Sequence, residues 1–205
     1  MPKVYWEVIF DLETQKFFDE TGTTDPADLG VSVVSVYRRK LNSGFSEESG
    51  EMQSFWVQDL DGMWKLFSDA DRVIGFNSLR FDVPALRPYA PSFFSKLPHF
   101  DIYDQVRQTH GRASSLNSFA RDTLGVGKVD NPANAIIYWQ KQDPESLGLL
   151  RKYCEADVLI TRDIYDYALR NKQLKYTDRW NTPRVVEIDF SYPEDVPAEK
   201  QPTLF

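Results

Sequence analysis

Blocks of apolar residues separated by polar turns predict that the chain begins with strands. Three runs rich in β-branched and aromatic residues precede residue 60, and they span 4–10, 30–37 and 52–57. The first run is apolar on both sides apart from Glu7, as is typical of a central strand that is covered on both faces. The polar separators, including a loop predicted at 42–51, favour antiparallel pairing of the three strands.

Helical spacing dominates the rest of the chain, with short strands between the helices. Helices are predicted at 60–70, from Asp82 with Pro84 in the first turn, at 114–125 between a serine cap and Gly125, and over the longest segment, 143–170. Short strands are predicted at 72–77, 99–106 and 184–190. Strands first and strand–helix alternation later indicate an α/β fold, a mixed β-sheet flanked by α-helices.

The length and composition support one well-packed domain with a tail. The chain has 205 residues, of which 41% are hydrophobic and 14% aromatic. We expect the domain to span residues 1–190, and we expect residues 191–205, which are acidic and rich in proline, to form a disordered tail. The segment 17–28, between the first two strands, is an insertion that the pattern assigns to no element.

The composition also indicates where the protein works and which partners it avoids. No apolar run approaches the length of a membrane span, and the N-terminus lacks the layout of a signal peptide. Cys154 is the one cysteine, so these features predict a cytoplasmic protein with no membrane partner. The formal net charge of −7 argues against binding of duplex DNA by bulk electrostatics, although it leaves room for an enzyme that handles nucleic acid locally.

Two carboxylates come at the end of the first predicted strand. Asp11 and Glu13 are two positions apart, so their side chains point to the same face of the sheet. Two like charges beside an apolar strand are costly unless a partner neutralises them. The position of these two acids therefore predicts a bound cation or another compensating group.

A third inward-facing acid is predicted on the longest helix. Tyr153 and Asp157 are four positions apart, so they share one helix face, and that face continues through Leu150 and Ile164 as a buried stripe. A buried Asp needs a partner. Glu155 lies off this stripe, and we expect it to be solvated.

Two further acids have less specific settings. Asp82 lies at or beside the start of a helix, where a role as N-cap accounts for it without any active site. Asp101 suits either a strand end near the same site or a turn, and we favour the turn.

Convergent carboxylates indicate the kind of partner that would neutralise them. The pattern directs Asp11, Glu13 and Asp157 inward, with Asp82 as a candidate fourth member. Oxygen-rich sites select hard divalent cations such as Mg²⁺ or Mn²⁺. Two such ions form the centre that many enzymes use for phosphoryl transfer, so the acids predict a site for two divalent metal ions.

Three short motifs resemble those of the DEDD superfamily of 3′–5′ exonucleases, which have a ribonuclease H-like fold. The three motifs occur in the same order in this chain. The first is FDLET, matched by Asp11, Glu13 and Thr14, and the second is NSLRFD, matched by Asn77, Phe81 and Asp82. The third is YCEAD, matched by Tyr153 and Asp157. Position 152 is Lys where the other branch of the superfamily has His, so the resemblance is to the tyrosine branch, termed DEDDy. It covers about residues 4–170.

The resemblance implies a role for each matched residue. Asp11 would bridge the two metal ions, while Glu13 and Asp157 would hold the ion that carries the attacking water. Asp82 would act through a water on the second ion. Tyr153 would orient the attacking water, although in isolation it is better interpreted as a core aromatic of the helix stripe. The remaining matched residues would bind substrate, namely Thr14, Asn77 and Phe81.

The chain ends in QPTLF, which places an apolar pair at the tip of a polar tail. This ending resembles the short peptide by which bacterial replication and repair proteins dock on the DNA sliding clamp. The resemblance implies a polar contact from Gln201 and two anchors, Leu204 and Phe205, in a hydrophobic pocket. Because only three positions define the pattern, a chance match is the alternative.

The resemblance as a whole implies a metal-dependent 3′–5′ exonuclease that acts on single strands or frayed 3′ ends, with single-stranded DNA favoured. Two alternatives stay open, a non-catalytic exonuclease-like adaptor of replication or repair and a structure-selective ribonuclease H-like endonuclease. The intact acids count against the first and the Y-x-x-x-D motif against the second. The metal chemistry is the same on DNA and RNA, so the sequence leaves that choice open. The insertion at 17–28 departs from the motif pattern, and we expect it to border the substrate groove.

Overall fold

Seven strands and six α-helices form the described part of the chain, residues 3–127 and 132–193 of a computed structural model. The strands are β1 (Tyr5–Thr14), β2 (Val31–Leu41), β3 (Glu47–Trp56), β4 (Arg72–Gly75), β5 (His99–Asp101), β6 (Gln173–Thr177) and β7 (Pro183–Glu187). The α-helices are α1 (Phe18–Thr21), α2 (Asp82–Leu86), α3 (Ile102–His110), α4 (Leu116–Phe119), α5 (Pro132–Lys141) and α6 (Pro144–Asn171). Shorter 3₁₀ segments span Pro26–Leu29, Val57–Gly62, Trp64–Leu66 and Phe94–Lys96, and a π-helical turn spans Ala120–Leu124.

Five strands form a mixed central sheet in the order β3-β2-β1-β4-β5. The first three pair antiparallel, with Ile9 opposite Tyr37 at the centre of the β1–β2 pair. β4 pairs parallel with β1, and β5 pairs parallel with β4. The predicted α/β class, the antiparallel start and the central position of the first strand are therefore confirmed.

The two faces of β1 belong to two different layers of the core. Val8, Phe10 and Leu12 pack against the 3₁₀ segments and α2 on one face, whereas Ile9 packs against α6 on the other. Successive side chains on a strand alternate between faces. Glu7, Asp11 and Glu13 have the same parity as Ile9, so all three point to the face that α6 covers.

Glu7 shows how this face tolerates a charge inside an apolar strand. Its side chain is fully buried and lies 2.8 Å from the guanidinium of Arg39. The hydroxyls of Tyr165 and Tyr192 donate to its other oxygen at 3.0 and 2.9 Å. A buried carboxylate that is paired and hydrogen-bonded in this way is stable, because each of its oxygens has a partner.

Several predicted elements differ from the observed ones. The helix predicted at 60–70 is wrong, because the segment forms two 3₁₀ turns that bury Leu60, Met63 and Leu66 at intervals of three, the 3₁₀ repeat. The loop predicted at 42–51 is too long, since β3 already begins at Glu47 and pairs with β2. The strand predicted at 99–106 is right only as far as Asp101, where the chain turns into α3.

The helical predictions hold better. α6 begins after Asp143, whose side chain accepts from the Ser146 N–H, and it ends at Asn171. The helix predicted at 114–125 has its serine cap at Ser115 and its glycine end at Gly125, where φ is +73°, but its second half is π-helical. The pattern did not predict α5 or β6, and α2 is only five residues long.

The chain after α6 forms an antiparallel hairpin, β6–β7, outside the central sheet. The predicted strand at 184–190 is β7, which ends earlier, at Glu187. Tyr192, predicted to begin the tail, is instead packed against the fold through Glu7 and the ring of Tyr5, 4.9 Å away. The tail from 194 onward lies outside the described residues, and with it the QPTLF ending.

None of the helices in the described part of the chain has the length and apolar character that crossing a membrane requires.

Candidate metal centre

The end of β1 presents the first two acids to a cleft. Asp11 and Glu13 are both half-buried, and the β1–β2 register shifts directly after Glu13. Burial is the main reason that both pKa values lie well above the usual range. The negative charges of Asp82 and Asp157 raise the pKa of Asp11 further, and Asp82 has the larger effect. The same two charges raise the pKa of Glu13, where Asp157 has the larger effect. The strand therefore holds two carboxylates that a cation would stabilise in the charged form.

α6 brings the third acid to the same place. One oxygen each from Asp11, Glu13 and Asp157 lie within 4.8 Å of one another. Carboxylate oxygens converging at this separation are the donor set that Mg²⁺ and Mn²⁺ prefer. The chemistry of the three side chains therefore fits a divalent metal site.

Tyr153 lies one helical turn before Asp157 and is buried. Burial raises the pKa of its hydroxyl, and the charges of Asp157, Glu13 and Asp11 raise it further. Among the three acids, Asp157 has the largest effect on this hydroxyl. Tyr153 is thus a neutral donor held beside the three carboxylates, as the i, i+4 spacing predicted.

Asp82 joins the site from α2. It is the first residue of that helix, and Phe81, rather than Asp82, occupies the N-cap position. Its buried carboxylate accepts a hydrogen bond from the Leu12 N–H at 3.2 Å, which ties α2 to β1 between the two strand acids. Burial raises the pKa of Asp82 to about 7. It is therefore near the three clustered acids, although its own oxygens are not among the converging ones described above.

Asp101 supports the loop that carries the second motif, and its prediction as a turn residue is wrong. It ends β5, is 2% exposed, and caps α3 by accepting from the Asp104 N–H. Its two oxygens also accept from the Asn77 and Leu79 N–H groups at 2.8 and 3.0 Å. Asn77 has φ +60°, a left-handed conformation that Asn tolerates. The sequence does contain a signal for this role, because an Asp between a strand and a helix is in the usual place for an N-cap.

Cys154 lies behind the site, and the sequence pattern assigned it no role there. Its buried thiol lies 3.4 Å from the carbonyl oxygen of Asp11 and 3.9 Å from one of its carboxylate oxygens. Burial raises the pKa of this thiol well above its usual range, and the charge of Asp11 adds to the effect. Cys154 is therefore a neutral group that α6 packs directly against β1.

Glu155, predicted to be solvated, is about two-thirds buried. It accepts a hydrogen bond of 2.7 Å from the hydroxyl of Ser54 on β3. This contact ties α6 to the edge of the sheet, on the side of the helix away from Asp157. The prediction failed because the sheet is wide enough for β3 to reach a second face of the helix.

A cleft of about 1240 Å³ is lined by the four acids, by Tyr153 and by the three residues predicted to bind substrate. Thr14, Asn77 and Phe81 all line it, as do Phe17 and Phe18 from the insertion at 17–28. The first two residues of the insertion therefore line the cleft, and its place at a substrate groove stays a prediction. Five basic residues that no motif contains also line the cleft, namely Lys16, Arg107, Arg112, Arg121 and Arg179.

Comparison with known proteins adds one match. Residues 8–169 match a family model described as the RNase H superfamily. No curated protein matches the chain. The matched segment begins in β1 and ends in α6, so it includes every element that carries one of the four acids, and it stops before the β6–β7 hairpin.

Proposed function

Because the chain belongs to the ribonuclease H superfamily, whose members are generally nucleases, we propose that it is a metal-dependent 3′–5′ exonuclease of the DEDDy branch. Its substrate is the 3′ end of a single strand or of a frayed duplex, and single-stranded DNA is the favoured form. A role in DNA replication or repair and a cytoplasmic location belong to the same proposal.

The convergence of Asp11, Glu13 and Asp157, with the buried Tyr153 hydroxyl beside them, carries this proposal. Asp157 is 144 or more positions from Asp11 and Glu13 in sequence, yet all three acids line the same cleft. The i, i+4 pair on α6 resembles the third motif of the tyrosine branch, and this resemblance favours an exonuclease over an endonuclease of the same superfamily. The intact set of acids favours an enzyme over a non-catalytic adaptor.

The side chains at the site have separable tasks in this mechanism. Asp11, Glu13 and Asp157 would hold the divalent ions, and Asp82 would complete the site from α2. Two Mg²⁺ or Mn²⁺ ions supply activation of water and stabilisation of the leaving oxygen when bound. The Tyr153 hydroxyl, neutral at physiological pH, donates a hydrogen bond and so orients the attacking water. Thr14, Asn77 and Phe81 hold the terminal nucleotide along the cleft wall.

Docking on a bacterial DNA sliding clamp is the second part of the proposal. It rests on the QPTLF ending, in which Gln201, Leu204 and Phe205 match the clamp-binding pattern. Tethering would raise the concentration of this acidic enzyme at DNA without any further contact to phosphates.

Digestion of end-labelled strands tests the catalytic proposal. Linear single-stranded DNA and RNA with a 5′ label, and circular single-stranded DNA, are incubated with Mg²⁺ or Mn²⁺. A ladder of labelled products that shortens from the 3′ end is expected, with the circle left intact. Asp11→Asn should abolish the ladder, whereas Asp61→Asn, which removes an exposed acid elsewhere, should not. Immediate release of the 5′ label or cutting of the circle would contradict the assignment.

A further inference from the structure

The tip of the β6–β7 hairpin reaches the cleft from outside the segment that matches the family. The family match ends at 169, whereas the hairpin runs from Gln173 to Glu187. Asp178, Arg179, Trp180 and Asn181, at its tip, line the same cleft as Asp11 and Asp157. The superfamily match therefore does not account for this wall of the cleft.

The tip has a defined conformation. The carboxylate of Asp178 accepts from the Trp180 and Thr182 N–H groups, both at 3.0 Å, and from Nε of Arg184 at 2.9 Å. Its side chain is only 7% exposed. These bonds satisfy the backbone of the turn and hold Trp180 in one place, as preorganised binding sites require.

Two side-chain hydroxyls hold the hairpin against the neighbouring wall of the cleft, and each makes two hydrogen bonds to the hairpin backbone. The Ser118 hydroxyl both donates to the Thr177 carbonyl and accepts from its N–H, each at 2.9 Å. Thr123 makes the same pair of bonds with Lys175, at 2.7 and 2.9 Å. The ring of Tyr176 packs on Phe119 at 4.9 Å. The hairpin is thus fixed relative to the cleft.

Trp180 is an exposed aromatic residue beside two cations. It is 51% exposed, and the guanidinium carbons of Arg112 and Arg179 lie 4.5 and 4.2 Å from its ring centroid. In the parts of the chain that the structure describes, no carboxylate pairs with either guanidinium, whereas Arg121 and Arg184 have Asp partners. An exposed indole ring with two solvent-facing guanidinium groups offers the two features that a nucleotide complements, an aromatic surface for its base and positive charge for its phosphate.

We propose that this tip is a strand-binding subsite that accepts single-stranded nucleic acid beyond the metal centre. Trp180 stacks on an unpaired base, which takes the place of one of the two guanidinium groups over its ring, and Arg112 and Arg179 neutralise neighbouring phosphates. Both contacts are to parts that every nucleotide shares, so binding is independent of sequence. Bases within a duplex are already stacked on both sides, so the subsite selects a single strand. The proposal rests on the proposed nuclease function and names the form of its substrate.

Binding of oligonucleotides by the full chain tests the subsite. Oligo-dT and oligo-rU of about 12 nucleotides, within the usual range of single-strand site sizes, are titrated with Ca²⁺ in place of Mg²⁺. Trp180→Ala should raise Kd by about 5- to 100-fold, the effect of losing one base–aromatic stack. Trp180→Phe, which keeps a stacking ring, should retain most of the affinity. The matched control is Val185→Ala, at a residue that is 63% exposed on the same hairpin and does not line the cleft.

Salt dependence tests the two arginines separately from the ring. Arg112→Ala and Arg179→Ala should each lower the slope of log Kd against log salt by about 0.7, the value for one phosphate contact on a single strand. Arg170→Ala, which removes an exposed cation away from the cleft, should leave the slope unchanged. Slopes that stay unchanged in both cleft variants would remove the arginines from the subsite.

Hydrolysis of a substrate with a single nucleotide separates this proposal from the proposed function. The unaltered protein should cleave the p-nitrophenyl ester of thymidine 5′-phosphate, and Val185→Ala should cleave it at the same rate. Weakened binding of either oligonucleotide by Trp180→Ala supports the subsite, and the DNA and RNA arms show which strand it takes. Equal binding by both proteins, or no binding by the unaltered one, overturns it. Binding without any hydrolysis in Mg²⁺ or Mn²⁺ would overturn the nuclease assignment alone.

Discussion

Asp11, Glu13 and Asp82 have pKa values above the usual range chiefly because the cleft withdraws them from water. Their mutual repulsion adds to this effect for Asp11 and Glu13. A carboxyl group whose folded pKa exceeds its unfolded pKa stabilises the fold fully at low pH and loses that contribution as the pH rises through the folded pKa. Without metal, the site therefore opposes folding at neutral and alkaline pH.

Asp82→Asn should accordingly stabilise the metal-free protein. Asn keeps an oxygen that accepts the Leu12 N–H but removes the charge, so we expect a rise in Tm of about 2–4 °C at about pH 8, equivalent to roughly 1 kcal/mol in a protein of this size. The advantage should disappear below about pH 4, where the unfolded carboxyl is also protonated, because the pKa of Asp82 in the fold is about 7. Thermal unfolding in EDTA across this pH range measures it, and a variant less stable than the unaltered protein at pH 8 would contradict the argument.

Tyr153→Phe tests the donor beside the acids. The ring still fills its buried place, and only the hydroxyl beside the acids is lost. We expect kcat to fall by roughly 10²–10⁴-fold, the range for loss of a group that positions or transfers a proton, with little change in KM. Tyr167→Phe, on the same helix but outside the cleft, is the control. Equal rates in all three proteins would leave Tyr153 as a core residue only.

The positions of β1, α6, α2 and β5 relative to one another determine where the acids of the site lie. β1 and α6 deliver Asp11 and Asp157 by packing on each other, whereas α2 and the loop before it are held by Asp101 at the end of β5. Three backbone N–H groups, those of Asn77, Leu79 and Asp104, depend on that single carboxylate. The parallel pairing of β5 with β4 therefore also fixes the position of the loop that leads to Asp82.

Removing that support should affect both stability and activity. Asp101→Ala leaves three partly buried N–H groups without this acceptor, so we expect a loss of about 2–4 kcal/mol in the free energy of unfolding. Hydrolysis should fall as well, because the loop that leads to Asp82 loses its anchor. Urea denaturation and initial rates measure the two effects, and Asp61→Ala, at an exposed position, should change neither. A stable Asp101→Ala protein with normal rates would show that the loop holds itself.

At the scale of the whole molecule, charge is distributed unevenly. The chain carries a formal net charge of −7, yet five basic side chains line the cleft that holds the acids. A polyanionic strand would therefore meet local cations in an otherwise repulsive field. Such an enzyme gains most from a tether that keeps it near DNA, which is the task proposed for the C-terminal peptide.

Deletion of residues 201–205 tests the tether without altering the cleft. Hydrolysis of short oligonucleotides should be unchanged, whereas binding to the sliding clamp and any stimulation by clamp-loaded DNA should be lost. A free peptide ending in QPTLF should bind the clamp with micromolar Kd, about −8 kcal/mol, measured by fluorescence polarisation at tens of micromolar. A Gln201→Ala, Leu204→Ala, Phe205→Ala peptide is the control. Equal signals from the two peptides would identify the motif as coincidence.

The sequence alone determined the parts of this protein that depend on local periodicity. The alternation in β1 placed Asp11 and Glu13 on one face, and the i, i+4 spacing in α6 placed Tyr153 beside Asp157. The order of strands and helices predicted the α/β class and the antiparallel start of the sheet. These predictions succeeded because the repeats of a strand and a helix are properties of the backbone itself.

The tertiary structure decided which distant residues share a surface. Asp101, Cys154 and the basic side chains of the cleft have no common spacing, and only the packing of the sheet, the helices and the hairpin against one another brings them near the acids. The 3₁₀ turns at 57–66 likewise follow from the need to cover one face of β1 with a short connection. Such features depend on contacts between segments far apart in sequence, and local spacing carries no information about those contacts.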